Sequence, residues 1–427
     1  MNSKQKNVLL WNPISNHGHL NMYLELYADC LIQLGYNVLY YADLEAEFEE
    51  YIKVELPKLR SVEAIVTTKN LKRWSFSWIY FVGKNLTIRT FRDFLSSLGK
   101  IFLKTNSNRG FVEFDVLTRK LKILKDSNVV PDLVVCMYLD MATITRHSRR
   151  MLYNSRVPWI GLLFHPESLT NLTGFSKRSW FQESTNVGGI FFTDKYVDEY
   201  QSRARRNQVF QVFPDATKFR STLGQRLPQE FSGLAKGRRI IGLVGALDGN
   251  KKLIGEFLKL STHPLMNDFY FVLAGEVYES SLDSNVLEEV RRLSGSIQEN
   301  LFVYDKYIES ELHYDSIVND VDILFACYKD FDSSANILAK SAIFQKPVLV
   351  TSGTWIGNLV EKYKLGEAVL PLSMDNLIKG ILKISNQLDT DPQNFGFKDY
   401  EFYVSQENLR NHLRDYLEEL FTKEAIL

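Results

Sequence analysis

The sequence predicts an α/β protein of two doubly wound domains, and three observations carry that prediction. Apolar runs of strand length alternate with amphipathic stretches of helix length along most of the chain. The alternation lapses once, between residues 216 and 237, and then restarts. The chain's 427 residues also exceed what one ordinary core of about 100 to 200 residues holds. Strands that alternate with helices imply largely parallel sheets covered on both faces.

The first domain, expected over residues 1–215, opens with a strand at 7–11, a Gly/His turn, a helix at 20–34 stopped by Gly35, and a strand at 37–42. A strand signal follows at 64–67, then the buried run 133–138 introduced by Pro131. A helix at 141–154, a strand at 158–165 and a strand at 189–193 leading into a helix complete the domain. The polar stretch 216–237, with Gly224, Pro228, Gly233 and Gly237, reads as the linker. The second domain, 238–395, alternates strands at 240–245, 269–275, 301–304, 322–328 and 347–351 with helices at 253–261, 286–293, 310–318, 334–344 and 356–363. The remainder, 396–427, contains an amphipathic helix at 405–422.

Composition narrows the function. The 51 basic and 51 acidic side chains cancel, which removes the general attraction to nucleic acid that a strongly basic chain would have. Cys30, Cys136 and Cys327 lie far apart in apolar segments and read as buried thiols, without the paired spacing of a zinc site. No apolar run has the length of a signal peptide core or a membrane span, so the expected location is cytoplasmic.

In open α/β sheets ligands bind outside the carboxyl ends of the strands. At those ends the second domain carries Gly245 with Lys251 and Lys252, Gly275 with Glu276, Tyr307 with Ile308, and Ser352-Gly353-Thr354. After the strand ending at Tyr328, Ser333 or Ser334 is placed to cap the next helix, and free amides at such a start favour an anion such as a diphosphate. A capped helix without a ligand remains the alternative.

The order and spacing of these segments resemble the retaining nucleotide-sugar glycosyltransferases of the GT-B fold, specifically family four, across nearly the whole chain. The residues that carry the resemblance are Gly245 to Lys251, Ala274-Gly275-Glu276, Tyr307-Ile308, Asp322 to Ala326, Asp332 to Lys340, and Lys346-Pro347-Val348. It implies two Rossmann-like domains facing a central cleft, with a nucleotide-sugar as substrate and no cofactor or metal. It also implies that Gly245 and Lys251 meet the donor diphosphate, that the backbone at Tyr307 and Ile308 holds the nucleobase, and that Ser333, Ser334, Ala335 and Asn336 cradle the pyrophosphate. Glu276 belongs to the same donor set. Asp332 would orient the donor sugar, and His165, after its strand, would face that sugar from the first domain. These two are the candidate catalytic residues.

Two departures stand out. Ala246 replaces the family's arginine beside Gly245. Lys340 replaces a carboxylate that contacts the nucleotide ribose, and a lysine cannot accept a hydrogen bond. Lys340 suits either a phosphate contact or a solvated helix position.

In the first domain, His17, Gly18 and His19 occupy the turn that lines the acceptor side in GT-B enzymes, although a polar turn needs no ligand. The stretch 72–104, bounded by Lys72 and Lys104, mixes Arg73, Trp74, Trp78, Tyr80, Lys84, Arg89 and Arg92 with apolar residues. It suits a membrane surface and a lipid-linked acceptor; a core-packed helix with snorkelling cations is the alternative. The expected activity is transfer of a hexosyl group from a nucleotide-diphosphate donor to a glycan or lipid-linked glycan, with retention. A non-catalytic binding or scaffold subunit and a sugar-nucleotide epimerase of the same fold are the alternatives.

Overall fold

The computed structural model describes residues 5–12, 19–42, 44, 46–62, 121, 124, 129–139, 157–164, 186–218, 233, 235–295, 298–308, 310–329 and 335–424. The chain forms two units, Met1–Phe213 with Arg410–Leu427, and Pro214–Leu409.

In the first unit β1 (Asn7–Asn12), β2 (Asn37–Ala42), β3 (Arg60–Ser61), β4 (Leu133–Cys136), β5 (Trp159–Leu163), β6 (Asn186–Phe191) and β7 (Val209–Val212) form one sheet. Its order is β3-β2-β1-β4-β5-β6-β7 and every pairing is parallel. Helices α1 (His19–Gln33), α2 (Ala46–Glu55) and α3 (Val197–Gln201) accompany it. The central strands are apolar on both faces and almost fully buried, as a sheet covered on two sides requires. The strand expected at 64–67 and the helix expected at 141–154 lie outside the described residues.

The second unit repeats the plan. Its strands are β8 (Arg239–Val244), β9 (Phe269–Ala274), β10 (Leu301–Tyr304), β11 (Ile323–Ala326), β12 (Val348–Thr351) and β13 (Gly366–Val369), all parallel in the order β10-β9-β8-β11-β12-β13. Helices α4 (Ile254–Ser261), α5 (Ser284–Leu293), α6 (Glu311–Asp320), α7 (Ile337–Ile343), α8 (Trp355–Tyr363), α9 (Met374–Thr390) and α10 (Phe397–Tyr403) complete it. The order reverses between β8 and β11, which makes that gap the switch point of a Rossmann-like sheet. Both sheets therefore have the doubly wound class the sequence predicts. Asp322 helps fix the switch point, because its carboxylate accepts the Ile240 amide at 2.8 Å and so sets β11 against β8.

Two of the boundaries that differ from expectation bear on the candidate site. β11 ends at Ala326 because Tyr328 leaves the ladder: its amide donates to Thr351 Oγ1 at 2.9 Å, and it bridges Lys252 instead. α7 begins at Ile337, not Ser334, with Asn336 as its N-cap and no side-chain cap bond.

The C-terminal helix, α11 (Gln406–Glu424), belongs largely with the first unit. Buried Tyr416 donates to the Val209 carbonyl at 3.0 Å on β7, and its ring packs edge-on against Phe213. Lys6 lies 3.2 Å over the Phe421 ring. This sequence-distant helix thus packs on the first unit from β7 to the residue before β1.

Candidate functional site

The site residues cluster at the carboxyl ends of β8, β9 and β10. Gly245 directly follows β8 with φ +94°, a left-handed conformation that favours glycine. Gly275 directly follows β9 with φ +144°, and a Cβ there would stand 2.1 Å from the Gly245 carbonyl oxygen. Only glycine lets these turns approach so closely. The Gly245 amide donates to the Ala274 carbonyl, and the Leu247 amide to the Glu276 carbonyl, each at 2.9 Å. The Val277 amide donates to Asp305 Oδ1 at 3.2 Å, which ties the third strand end to the second. Three loops are thereby fastened into one rim.

The lysines of the β8 turn differ sharply. Lys251 is exposed, and its carbonyl accepts the Lys329 amide at 2.7 Å. Lys252 is half-buried, and its Nζ turns back to donate to the Val244 carbonyl at 2.8 Å. A Cβ placed on Gly245 would lie 3.6 Å from that Nζ and 3.8 Å from the Tyr314 hydroxyl. Gly245, Lys252 and Tyr314 therefore meet at one point. Burial lowers the Lys252 pKa to about 7, against the opposing pull of the Asp248 carboxylate. An ammonium has three donors, and the one hydrogen bond described here uses one. Such a cation is suited to an anionic ligand.

Of the other expected donor residues, Glu276 and Tyr307 are exposed, the latter by 60%, while Ile308, Ala335 and Asn336 are half-buried. Ile308 and Ala335 pack against the core of the unit. Ala246 is exposed and offers no cation. Asp332, Ser333 and Ser334 lie outside the described residues. His17, Gly18, His165 and the stretch 72–104 also lie outside them. His19 is the first residue of α1. Phe164, directly before His165, stacks on Phe192 at 4.1 Å and on Tyr138 at 4.9 Å, which anchors the end of β5.

Lys340 corrects the sequence reading. Neither solvated nor open to an incoming phosphate, it is 1% exposed, and its Nζ lies 2.6 Å from Asp315 Oδ1 on α6. An adjacent helix supplies its counter-ion, which no spacing along the chain signals. Lys252 was also missed as the inward-turned cation, because the paired lysines look equivalent in sequence and only the turn distinguishes them.

The three cysteines are buried thiols, as expected, and burial pushes the Cys30 thiol up to about 12. Among the described residues no group of three His, Cys, Asp or Glu side chains is arranged to hold a metal. Among the same residues no helix is long and apolar enough to cross a membrane.

No protein-family model matches the sequence. No curated protein matches it by sequence. Solved structures do match in fold. The chain is similar to sucrose-phosphate synthase from Thermosynechococcus elongatus, with TM-score 0.60 and 11% identity, over 98% of this chain and 100% of that one. It is similar to Alr3699/HepE from Anabaena in complex with UDP and glucose, with TM-score 0.59 and 13% identity, over 97% and 100%. A UDP-forming trehalose-phosphate synthase from Burkholderia xenovorans aligns with TM-score 0.57 and 12% identity, over 97% and 98%. At these identities the likeness establishes the fold: the chain has the architecture of the GT-B glycosyltransferases.

Proposed function

We propose that the protein is a glycosyltransferase that moves a hexosyl group from a nucleotide-diphosphate donor to a hydroxyl of a glycan or lipid-linked glycan, with retention and without a bound metal. The observation that carries this reading is the rim at β8 to β10, where Lys252 Nζ, Gly245 and Tyr314 converge at a strand end. One protein of similar fold, Alr3699/HepE from Anabaena, is described in complex with UDP or UDP-glucose, which supports a nucleotide-sugar as the ligand.

In this reading the diphosphate sits over Gly245, with Lys252 and then Lys251 as its cations. Tyr307 and Ile308 meet the base, and Glu276 and the segment from Ser333 to Asn336 complete the donor contacts. The bond from the anomeric carbon to the phosphate oxygen breaks, and the electron pair leaves with the nucleoside diphosphate. The acceptor hydroxyl oxygen bonds to the anomeric carbon and passes its proton to an oxygen of the departing diphosphate. Negative charge grows on the departing diphosphate, and a preorganised ammonium at that position lowers the barrier. His165 and Asp332 act on the sugar, and His17, Gly18 and His19 on the acceptor. Incubation with a panel of nucleotide-sugars and glycan acceptors tests the reading; a folded protein that neither binds a nucleotide nor transfers a sugar refutes it.

A second reading, a non-catalytic binding or scaffold subunit, draws on two observations: Ala246 supplies no charge, and the Lys340 ammonium is engaged by Asp315. It calls for nucleotide or partner binding without turnover in the same panel.

A further inference from the structure

The Lys340 and Asp315 side chains are 1% and 3% exposed, and they form an ion pair at 2.6 Å in the interior of the second unit. Removing two charges from water costs several kcal/mol per ion, and apolar residues of similar volume often serve stability as well or better. A buried pair is therefore weak evidence of a purely stabilising role. Its location suggests a different one.

Asp315 lies on α6, one residue after Tyr314, whose ring edge would stand 3.4 Å from a Cβ on Gly245. Lys340 lies on α7, and its backbone amide donates to the Asn336 carbonyl at 3.1 Å, closing the first turn of that helix. Lys340 is thus fastened to Asn336 by its backbone and to α6 by its side chain. The helices follow β10 and β11, which lie on opposite sides of the switch point between β8 and β11. The ion pair spans that gap.

We propose that Asp315 and Lys340 are positioning residues: their ion pair holds α7 in register with α6, and so holds Ala335 and Asn336 at a fixed distance from the Gly245 and Tyr314 contact. The inference rests on the donor reading above, because these are the loops that reading gives to the diphosphate. It accounts for a cation where the resembling family has a carboxylate. The lysine's ligand is inside the protein, and its effect on the nucleotide passes through helix placement.

The test compares calorimetric affinity for UDP, GDP, ADP and CDP with the thermal midpoint in wild type, Lys340→Met, Asp315→Leu, the double variant Asp315→Leu/Lys340→Met, and Lys340→Arg. Each single apolar variant removes one partner of the buried ion pair, so the midpoint falls and affinity for the preferred diphosphate drops about tenfold or more. The double variant regains most of the midpoint but keeps the affinity loss, since a pair of apolar side chains packs without fixing register. Lys340→Arg, which keeps the ion pair, retains affinity within about threefold. A double variant that binds as tightly as wild type overturns the inference while leaving the donor reading intact. A wild-type protein that binds none of the four diphosphates refutes the donor reading and the inference with it.

Discussion

Replacing Lys252 with methionine removes the half-buried ammonium at the β8 turn, and the structure sets the size and direction of the effect. Burial lowers the Lys252 pKa from 10.5 to about 7, so the ligand-free site is close to half protonated at pH 7. A diphosphate beside Nζ favours the charged form and returns the pKa toward its ordinary value. Binding above pH 7 must then bring a proton into the site. With the bound form protonated throughout, affinity falls about fiftyfold between pH 7 and pH 9, or about 2.3 kcal/mol. Folding stability of the ligand-free protein runs the other way. Because the folded-state pKa is depressed, the unfolded chain holds more protons between pH 7 and 10.5, and stability rises with pH across that window.

The assay is titration calorimetry with a nucleotide-sugar, whose diphosphate has no group titrating in this range, in buffers of different ionisation heat. Wild type takes up about half a proton per binding event at pH 7 and close to one at pH 9. Lys252→Met takes up none, binds more weakly at pH 7, and loses the pH dependence. Tight wild-type binding with no proton uptake refutes the reasoning, as does uptake that persists in the methionine variant.

Lys251→Ala is expected to weaken diphosphate binding less than Lys252→Met does. Its stability should stay within about 0.5 kcal/mol of wild type by denaturant titration, because the side chain is exposed. Gly275→Ala combines φ +144° with a Cβ 2.1 Å from the Gly245 oxygen, so it should lose about 2 kcal/mol or more of stability and weaken nucleotide binding; a neutral result denies the close approach of the two turns. Tyr416→Phe leaves the buried Val209 carbonyl without this donor and should cost about 1 to 2 kcal/mol in denaturant unfolding, with nucleotide affinity unchanged.

Much of the second unit was legible because β8, β9, β11 and β12 are continuous apolar runs bounded by Gly, Pro or charged residues, a pattern that marks buried parallel strands. The edge strands were harder to read. β7, with Gln211 in its middle, and β13, half-buried along its whole length, lack that apolar signal and went unrecognised. The partner of the C-terminal helix was also hidden, since the contact of Tyr416 with Val209 closes a sequence separation of 207 residues. Within the site, the glycines and strand ends were readable from spacing. The inward turn of Lys252 depends on local backbone geometry, and the Asp315 to Lys340 pair depends on the packing of two helices. Neither leaves a trace in the linear pattern.

The central claim is that the turn after β8 binds the donor diphosphate. A structure of the protein with a bound nucleotide-sugar tests it most directly. Phosphate oxygens are expected over Gly245 within hydrogen-bond reach of Lys252 Nζ, with Lys340 still paired to Asp315. A nucleotide bound elsewhere, with Lys252 still turned onto the Val244 carbonyl, would contradict it.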